Sequence, residues 1–331
     1  MLSYPELKLY VTGEWRSRDG APVLNPADES IVGTVPHATR ADLDDALIAA
    51  EEGFRIWRRR NALRSSTARR KSAASAPAKD GVAITLEQGK PLAQAKIEII
   101  RGTDVLDWDA TEGRRVYGRV IPSEPGMRNT VLRQPISVVA AFSPWNFPMS
   151  SPGRKVAGAL SSGCAIILKA SEETPAGAFN LVRAFVDAGV PPGVLQLVYG
   201  VPSEISTYLI PQPPVRLVTF TGSIPVGKHL AAMAGEHMKP AIMELGGHGP
   251  VMCATTPTPS RAPRPRRSAS RATPGRCASR RPASLCRRRS TTASPPRLAR
   301  RQSRSRSVMG WRRTPRWDRS PTTAAWRQWK R

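Results

Sequence analysis

The stretch ISVVAAFSPWNFPMSSPGRKVAGALSSGCAIILKAS, residues 136–171, decides the fold. Its two runs ISVVAAF (136–142) and CAIILK (164–169) are short, apolar and rich in β-branched residues. A strand with one wet face alternates apolar and polar residues. A continuous apolar run marks a strand covered on both faces. Between the runs, residues 152–162 read as a helix, so the stretch is a strand–helix–strand unit. The unit then repeats. PAGAFNLVRAFVDAG is a helix ended by Gly189, LQLVYG (195–200) a strand, and 203–210 a short helix. RLVTFTG (216–222), a helix near 225–235 and AIMELGG (241–247) complete the series. The predicted fold class is α/β, a doubly wound parallel sheet. Upstream, Thr39-Arg-Ala-Asp42 reads as a capped helix start. Leu43, Leu47, Ala50, Phe54 and Trp57 follow at helical spacing, so that helix lies on the core.

Charge divides the chain. Residues 1–253 carry 28 Lys/Arg and 24 Asp/Glu, an ordinary balance. Residues 254–331 carry 23 Lys/Arg and a single acid, Asp318, so most of the formal charge of +26 lies there. That segment is Arg, Ser, Pro and Thr with little to bury, the composition of a disordered tail. Nucleic acid is expected only as a non-specific, salt-sensitive partner of this segment. No apolar run reaches the ~20 residues of a membrane span. The start, MLSYPELKLYVTGEW, lacks the basic-then-apolar pattern of a signal peptide. Cys164, Cys253, Cys277 and Cys286 show no metal-ligand spacing. These features predict a cytoplasmic, reduced setting, no metal and no membrane partner.

Doubly wound sheets bind ligands beyond the C-terminal ends of their strands. After the first strand comes Ser143-Pro-Trp-Asn-Phe-Pro148, a stiff turn presenting Asn146 as an amide donor; taken alone, Asn146 is an ordinary turn residue. After the second comes Lys169-Ala-Ser-Glu172, whose ammonium and carboxylate suit ribose hydroxyls but equally suit a solvated helix start. Thr221-Gly-Ser-Ile-Pro-Val-Gly227 is a Gly-rich turn entering a helix, where backbone N–H groups can face a pyrophosphate. Met243-Glu-Leu-Gly-Gly247 ends the last strand, where burial would suit Glu244 to general-base work; its plain alternative is a helix cap.

Together, in this order, PWNFP, KxSE, FTGSxxxG and ELGG resemble the aldehyde dehydrogenase superfamily, with its Rossmann-like NAD-binding domain. LYVTGEW, NPADESIVGTVPHAT, TLEQGKPLAQA and EGRRVYGRVIP look like its succinate-semialdehyde dehydrogenase branch. The resemblance covers residues 7–253, apart from 59–80. It implies oxidation of a small aldehyde to the acid, with NAD favoured over NADP because the Glu172 carboxylate competes with a 2′-phosphate. It implies Asn146 as the oxyanion donor and Glu244 as the base that activates water. Lys169 and Glu172 would hold the ribose, and Ser223 the pyrophosphate. Pro144, Trp145, Phe220, Gly222, Gly227 and Leu245 would line the cofactor cleft. Arg154 would pair with a substrate carboxylate. The implied domains are the N-terminal part of the cofactor-binding domain (1–115), an oligomerisation hairpin (116–135) that makes a homo-oligomer, and the NAD-binding core (136–253). At Val201-Pro-Ser-Glu-Ile205 relatives often carry another glycine.

The family's nucleophilic cysteine, in a pattern like N-A-G-Q-x-C, is not legible in 254–331. With suitable codons, Thr273-Pro-Gly-Arg-Cys277-Ala278 read one nucleotide earlier becomes Asn-Ala-Gly-Gln-Val-Cys. The same step turns Thr255-Thr-Pro-Thr258 into Asp-Asp-Ala-Asp and recovers family-like text over 308–321. The expectation is a frameshift near 251–254, a tail translated out of frame, a missing catalytic domain and a chain inactive as written. Cys277 is then not the nucleophile. Two rivals stand: an NAD-binding body with a genuine Arg/Ser-rich nucleic-acid-binding tail, and an NAD-binding scaffold without chemistry.

Overall fold

The computed structural model describes residues 4–59, 77–247, 251–253 and 284–286. It divides into two units, the first reaching Gly246 and the second holding the strands beyond it.

The first unit is built on a seven-stranded sheet. Its centre is β7 (Val138–Phe142), β8 (Ala165–Lys169) and β9 (Leu195–Val198), in which every residue is buried. This is what the continuous apolar runs predict. Helix α4 (Ser150–Ser161) joins β7 to β8, and α5 (Pro175–Asp187) joins β8 to β9. Then α6 (Pro202–Leu209) leads to β10 (Val215–Gly222), and α7 (Ile224–Glu236) to β11 (Ala241–Leu245). The strand order is β11-β10-β7-β8-β9, all parallel, extended past β9 by β1 (Leu9–Val11) and β2 (Glu14–Arg16), both pairings antiparallel. The chain therefore winds outward from β7 to β9 and returns to β10 on the other side of β7. The crevice of such a sheet opens where the order reverses, between β7 and β10.

Helix α1 (Arg40–Trp57) packs on β8 and β9. Its capping box is present: Thr39 Oγ1 accepts from the Asp42 amide, and the Asp42 carboxylate accepts from the Thr39 amide. Arg16 and Arg18 both reach the buried Asp42 carboxylate, tying the end of the β1–β2 hairpin to the start of α1. At the far end of the helix, Trp57 Nε1 donates to the Leu160 carbonyl at 2.9 Å. A second hairpin, β3 (Gly20–Leu24) with β4 (Ile31–Pro36), stands apart from the large sheet. Helix α2 (Pro77–Gln88) packs on α3 (Leu92–Glu112) and on α5, and α3 packs on α4. After a 3₁₀ turn, β5 (Arg119–Ile121) and β6 (Asn129–Val131) form an antiparallel hairpin with little burial.

Two features depart from the expected pattern. Cover on both faces fails at β11, where Ile242 is 60% exposed, because β11 is a sheet edge paired only with β10 among the described residues. Within the segment read as unstructured, β13 (Ser284–Cys286) pairs in parallel with β12 (Val251–Cys253). The rest of 254–331, with the frame-shift readings placed on it, and residues 60–76 of the poor stretch 59–80 lie outside the described residues. No helix among the described residues is long and apolar enough to cross a membrane.

Candidate active site

Register sets the site. Lys169 lies opposite Phe142, Phe142 opposite Phe220, and Phe220 opposite Met243, so β8 and β7 end on one row of four strands and β10 and β11 run two residues past it. At ~4.8 Å per strand this row is about 14 Å wide. The residues singled out in the sequence are the ones that leave it: Pro144 to Asn146 from β7, Lys169 and Glu172 from β8, Gly222 and Ser223 from β10, Glu244 and Leu245 from β11.

The turn after β7 is held by its backbone. The Ser143 amide donates to the Lys169 carbonyl at 3.2 Å. The Trp145 carbonyl accepts from Thr174 Oγ1 at 3.0 Å. The Asn146 carbonyl accepts from Lys90 Nζ at 3.2 Å and from Gln88 Nε2 at 3.4 Å. By contrast, no hydrogen bond among the described residues engages the Asn146 side-chain amide, and the residue is part-exposed. A rigid turn thus presents a free N–H donor.

At the end of β8, Lys169 is 5% exposed and its ammonium is paired with the Glu172 carboxylate. The Gly200 amide beyond β9 donates to the same carboxylate at 3.2 Å. At the end of β10, Ser223 is the N-cap of α7 but its side chain makes no cap bond, so hydroxyl and first-turn amides are left open. Gly222 and Gly227 also leave room for neighbouring side chains. A Cβ at Gly222 would fall 2.3 Å from the Phe220 ring, and one at Gly227 2.4 Å from a Leu245 methyl. Gly227 lets α7 lie down on β11.

Glu244 is exposed, not buried as its apolar strand suggests, because it sits on the open edge strand. Opposite it in register is Thr221, and here the structure adds a residue the sequence reading missed. Lys155 Nζ of α4 donates to Thr221 Oγ1 at 2.8 Å and Thr219 Oγ1 at 3.2 Å. Desolvation lowers its pKa to about 8, and the nearby Glu244 carboxylate opposes that shift. Its signal was available: Lys155 stands between Pro152 and Ala159, one turn away on either side, on the buried stripe of α4. The neighbouring Arg154 is exposed and faces Asp109 of α3, whose carboxyl is raised by burial and lowered by Arg154.

The comparisons with known proteins follow the same ground. The model of the aldehyde dehydrogenase family matches residues 14–256. The chain belongs to the aldehyde dehydrogenase family. Among its relatives is a 4-(hydroxymethyl)benzenesulfonate dehydrogenase of Comamonas testosteroni, 45% identical over 252 residues, covering 74% of this chain and 53% of the relative. A succinate semialdehyde dehydrogenase of Acinetobacter baylyi is 39% identical, over 73% of this chain and 52% of the relative. The crystal structure of a succinate-semialdehyde dehydrogenase from Burkholderia pseudomallei superposes with a TM-score of 0.72 at 38% identity, over 75% of this chain and 53% of that one. The chain thus spans about half the length of the aldehyde dehydrogenases it matches. Both nicotinamide cofactors occur among them: a Staphylococcus aureus betaine aldehyde dehydrogenase, 28% identical with a TM-score of 0.71, is in complex with NAD+, and an Escherichia coli relative is named for NADP+.

Proposed function

We propose that this chain carries the cofactor-binding half of an NAD-linked aldehyde dehydrogenase acting on a small aldehyde with an anionic end, such as succinate semialdehyde. The observation that carries the reading is the row of four parallel strands in register at their C-terminal ends, flanking the β7/β10 crevice, with a free amide at Asn146 and a carboxylate at Glu244. The donor set suits a dinucleotide: the buried Lys169 beside Glu172 for a ribose, and the uncapped start of α7 with Ser223 for a pyrophosphate. Pro144, Trp145, Phe220, Gly222, Gly227 and Leu245 wall the cleft. When bound, NAD supplies the hydride acceptor. Glu172, already holding Lys169 and the Gly200 amide, disfavours a 2′-phosphate, so NAD is preferred.

The chain's own residues then divide the work. The Asn146 amide donates to the carbonyl oxygen as negative charge grows on it. Glu244 takes a proton from the attacking water. Lys155, whose pKa burial lowers to about 8 near Glu244, can pass the proton on. Arg154 meets the anionic end of the substrate, in competition with Asp109. The exposed hairpin with Val120 at 73% and Met127 at 61% is the proposed oligomerisation surface. The nucleophile belongs to the frame we read behind residues 254–331, so the chain as written has little or no turnover.

The test compares the full chain with a version whose frame is restored by one nucleotide near residue 251, using succinate semialdehyde and NAD+. The restored protein is expected to make NADH, and Asn146→Ala in it to lower kcat about 10²–10³-fold. Normal turnover by the unrestored chain, or no loss on Asn146→Ala, overturns the reading.

A further inference from the structure

Two fully buried charges meet behind the Asn146 turn. Lys90, between α2 and α3, and Glu98, on α3, form an ion pair with side chains 1% and 2% exposed. Neither touches the row of strand ends. Each instead grips one end of the same short segment. Lys90 Nζ donates to the Asn146 carbonyl at 3.2 Å and lies 4.5 Å from the centre of the Phe147 ring. Glu98 Oε1 accepts from the Met149 amide at 3.0 Å, the Ser150 amide at 3.2 Å and Ser150 Oγ at 3.3 Å. Helix α4 has no side-chain cap of its own at Met149, so Glu98 caps it from another element. Only Phe147 and Pro148 lie between the two grips.

Stability is a poor reason for such a pair. Burying two ions costs more desolvation than their attraction commonly returns, and an apolar pair of similar size holds two helices together as well or better. An apolar pair cannot bind a carbonyl and two amides. Fixing the Asn146 carbonyl fixes the plane of the peptide that follows Asn146; with the preceding plane held through the Trp145 carbonyl by Thr174, the direction in which the Asn146 side chain leaves the backbone is set. Gln88 helps from the same side: its Nε2 donates to the same carbonyl at 3.4 Å, while its own buried Oε1 has no partner among the described residues.

We infer that Lys90 and Glu98 are positioning residues that aim the Asn146 amide at the developing oxyanion. The assignment of an oxyanion rests on the proposed function; the aiming does not. The test is therefore made on the amide itself. The chain holds only five asparagines, 25, 61, 129, 146 and 180, so the full chain labelled with 15N-asparagine gives a sparse spectrum. Loss of one side-chain amide pair in Asn146→Asp identifies Asn146. Lys90→Met keeps the apolar stem and removes the charge. Glu98→Gln keeps one acceptor and removes the charge. Lys90→Met/Glu98→Leu replaces the pair by apolar groups. The Asn146 pair is expected to shift or split in all three while the other asparagines stay in place. The double variant is expected to recover the thermal stability that Lys90→Met loses, without returning the Asn146 signal. Where a single variant does not fold, the double variant decides. An unmoved Asn146 pair in any folded variant overturns the inference, and so does a double variant that restores signal and stability together. If the signal moves but Asn146→Ala leaves the turnover of the frame-restored protein unchanged, the aiming stands and the oxyanion assignment falls.

Discussion

Glu87 shows how far one residue departs from its ordinary chemistry when the fold encloses it. It is 3% exposed and accepts from Tyr4 OH at 2.6 Å and from the Ala176 and Gly177 amides at the start of α5. Desolvation dominates these bonds and pushes its pKa up to about 8, from an ordinary 4.5. Between those values the folded chain binds the proton that the unfolded chain has released. The stabilising contribution is therefore complete below about pH 4.5 and is lost as pH rises through about 8. The difference is on the order of a few kcal/mol. Melting temperatures of the chain and of Glu87→Gln, measured from pH 5 to 8.5, are expected to diverge, the parent losing stability with rising pH and the variant much less. Parallel curves would show that Glu87 stays ionised in the fold.

At the scale of the element, α1 illustrates what fixes a helix against a sheet. Its start is local: the Thr39–Asp42 box, whose loss typically costs about 1 kcal/mol. Its seat is not local. Gly53 faces Gly193, the residue that leads into β9, so closely that a Cβ at Gly53 would lie 2.2 Å from the Gly193 carbonyl carbon. In return, Gly193 has φ +85° and leaves no room for a Cβ, which would meet the Ala49 carbonyl at 2.4 Å. Helix and strand lead-in meet backbone to backbone. Gly53→Ala gains helix propensity of about 1 kcal/mol, yet is expected to destabilise because the helix must lift from the sheet, a cost of about 1–3 kcal/mol or more. Urea unfolding reads the sign directly. A variant as stable as the parent, or more so, would mean that α1 tolerates the displacement.

For the whole molecule, the proposed cofactor site draws on one stretch of the chain. All four strand ends of the row, and the α7 start, lie within residues 138–245 of one sheet. Cofactor binding should therefore not require turnover. Calorimetry on the full chain is expected to show NAD+ binding with NADP+ weaker. Glu172→Ser is expected to narrow that gap about tenfold or more, since a carboxylate facing a 2′-phosphate is worth more than ~1.4 kcal/mol. Equal affinity of the parent for both, or no change in the variant, would remove Glu172 as the selector.

From 136 to 247 the order of strands and helices, and the place of each motif at or just past a strand end, were determined by the sequence alone, because apolar runs and helical periods report burial locally. PWNFP, KxSE, FTGS and ELGG also carried the family. What pairs across the chain was decided only by tertiary structure. The start of α4 at Ser150 depends on Glu98, some fifty residues earlier, and the hold on Asn146 depends on Lys90. Lys155 joined the site only when α4 packed on β7 and β8 and its ammonium reached Thr219 and Thr221 of β10. The exposure of Glu244 likewise follows from β11 being an edge, which no residue within the strand records. A side chain's own neighbours in sequence fix its element; the partner that sets its charge, reach and orientation arrives by long-range contact.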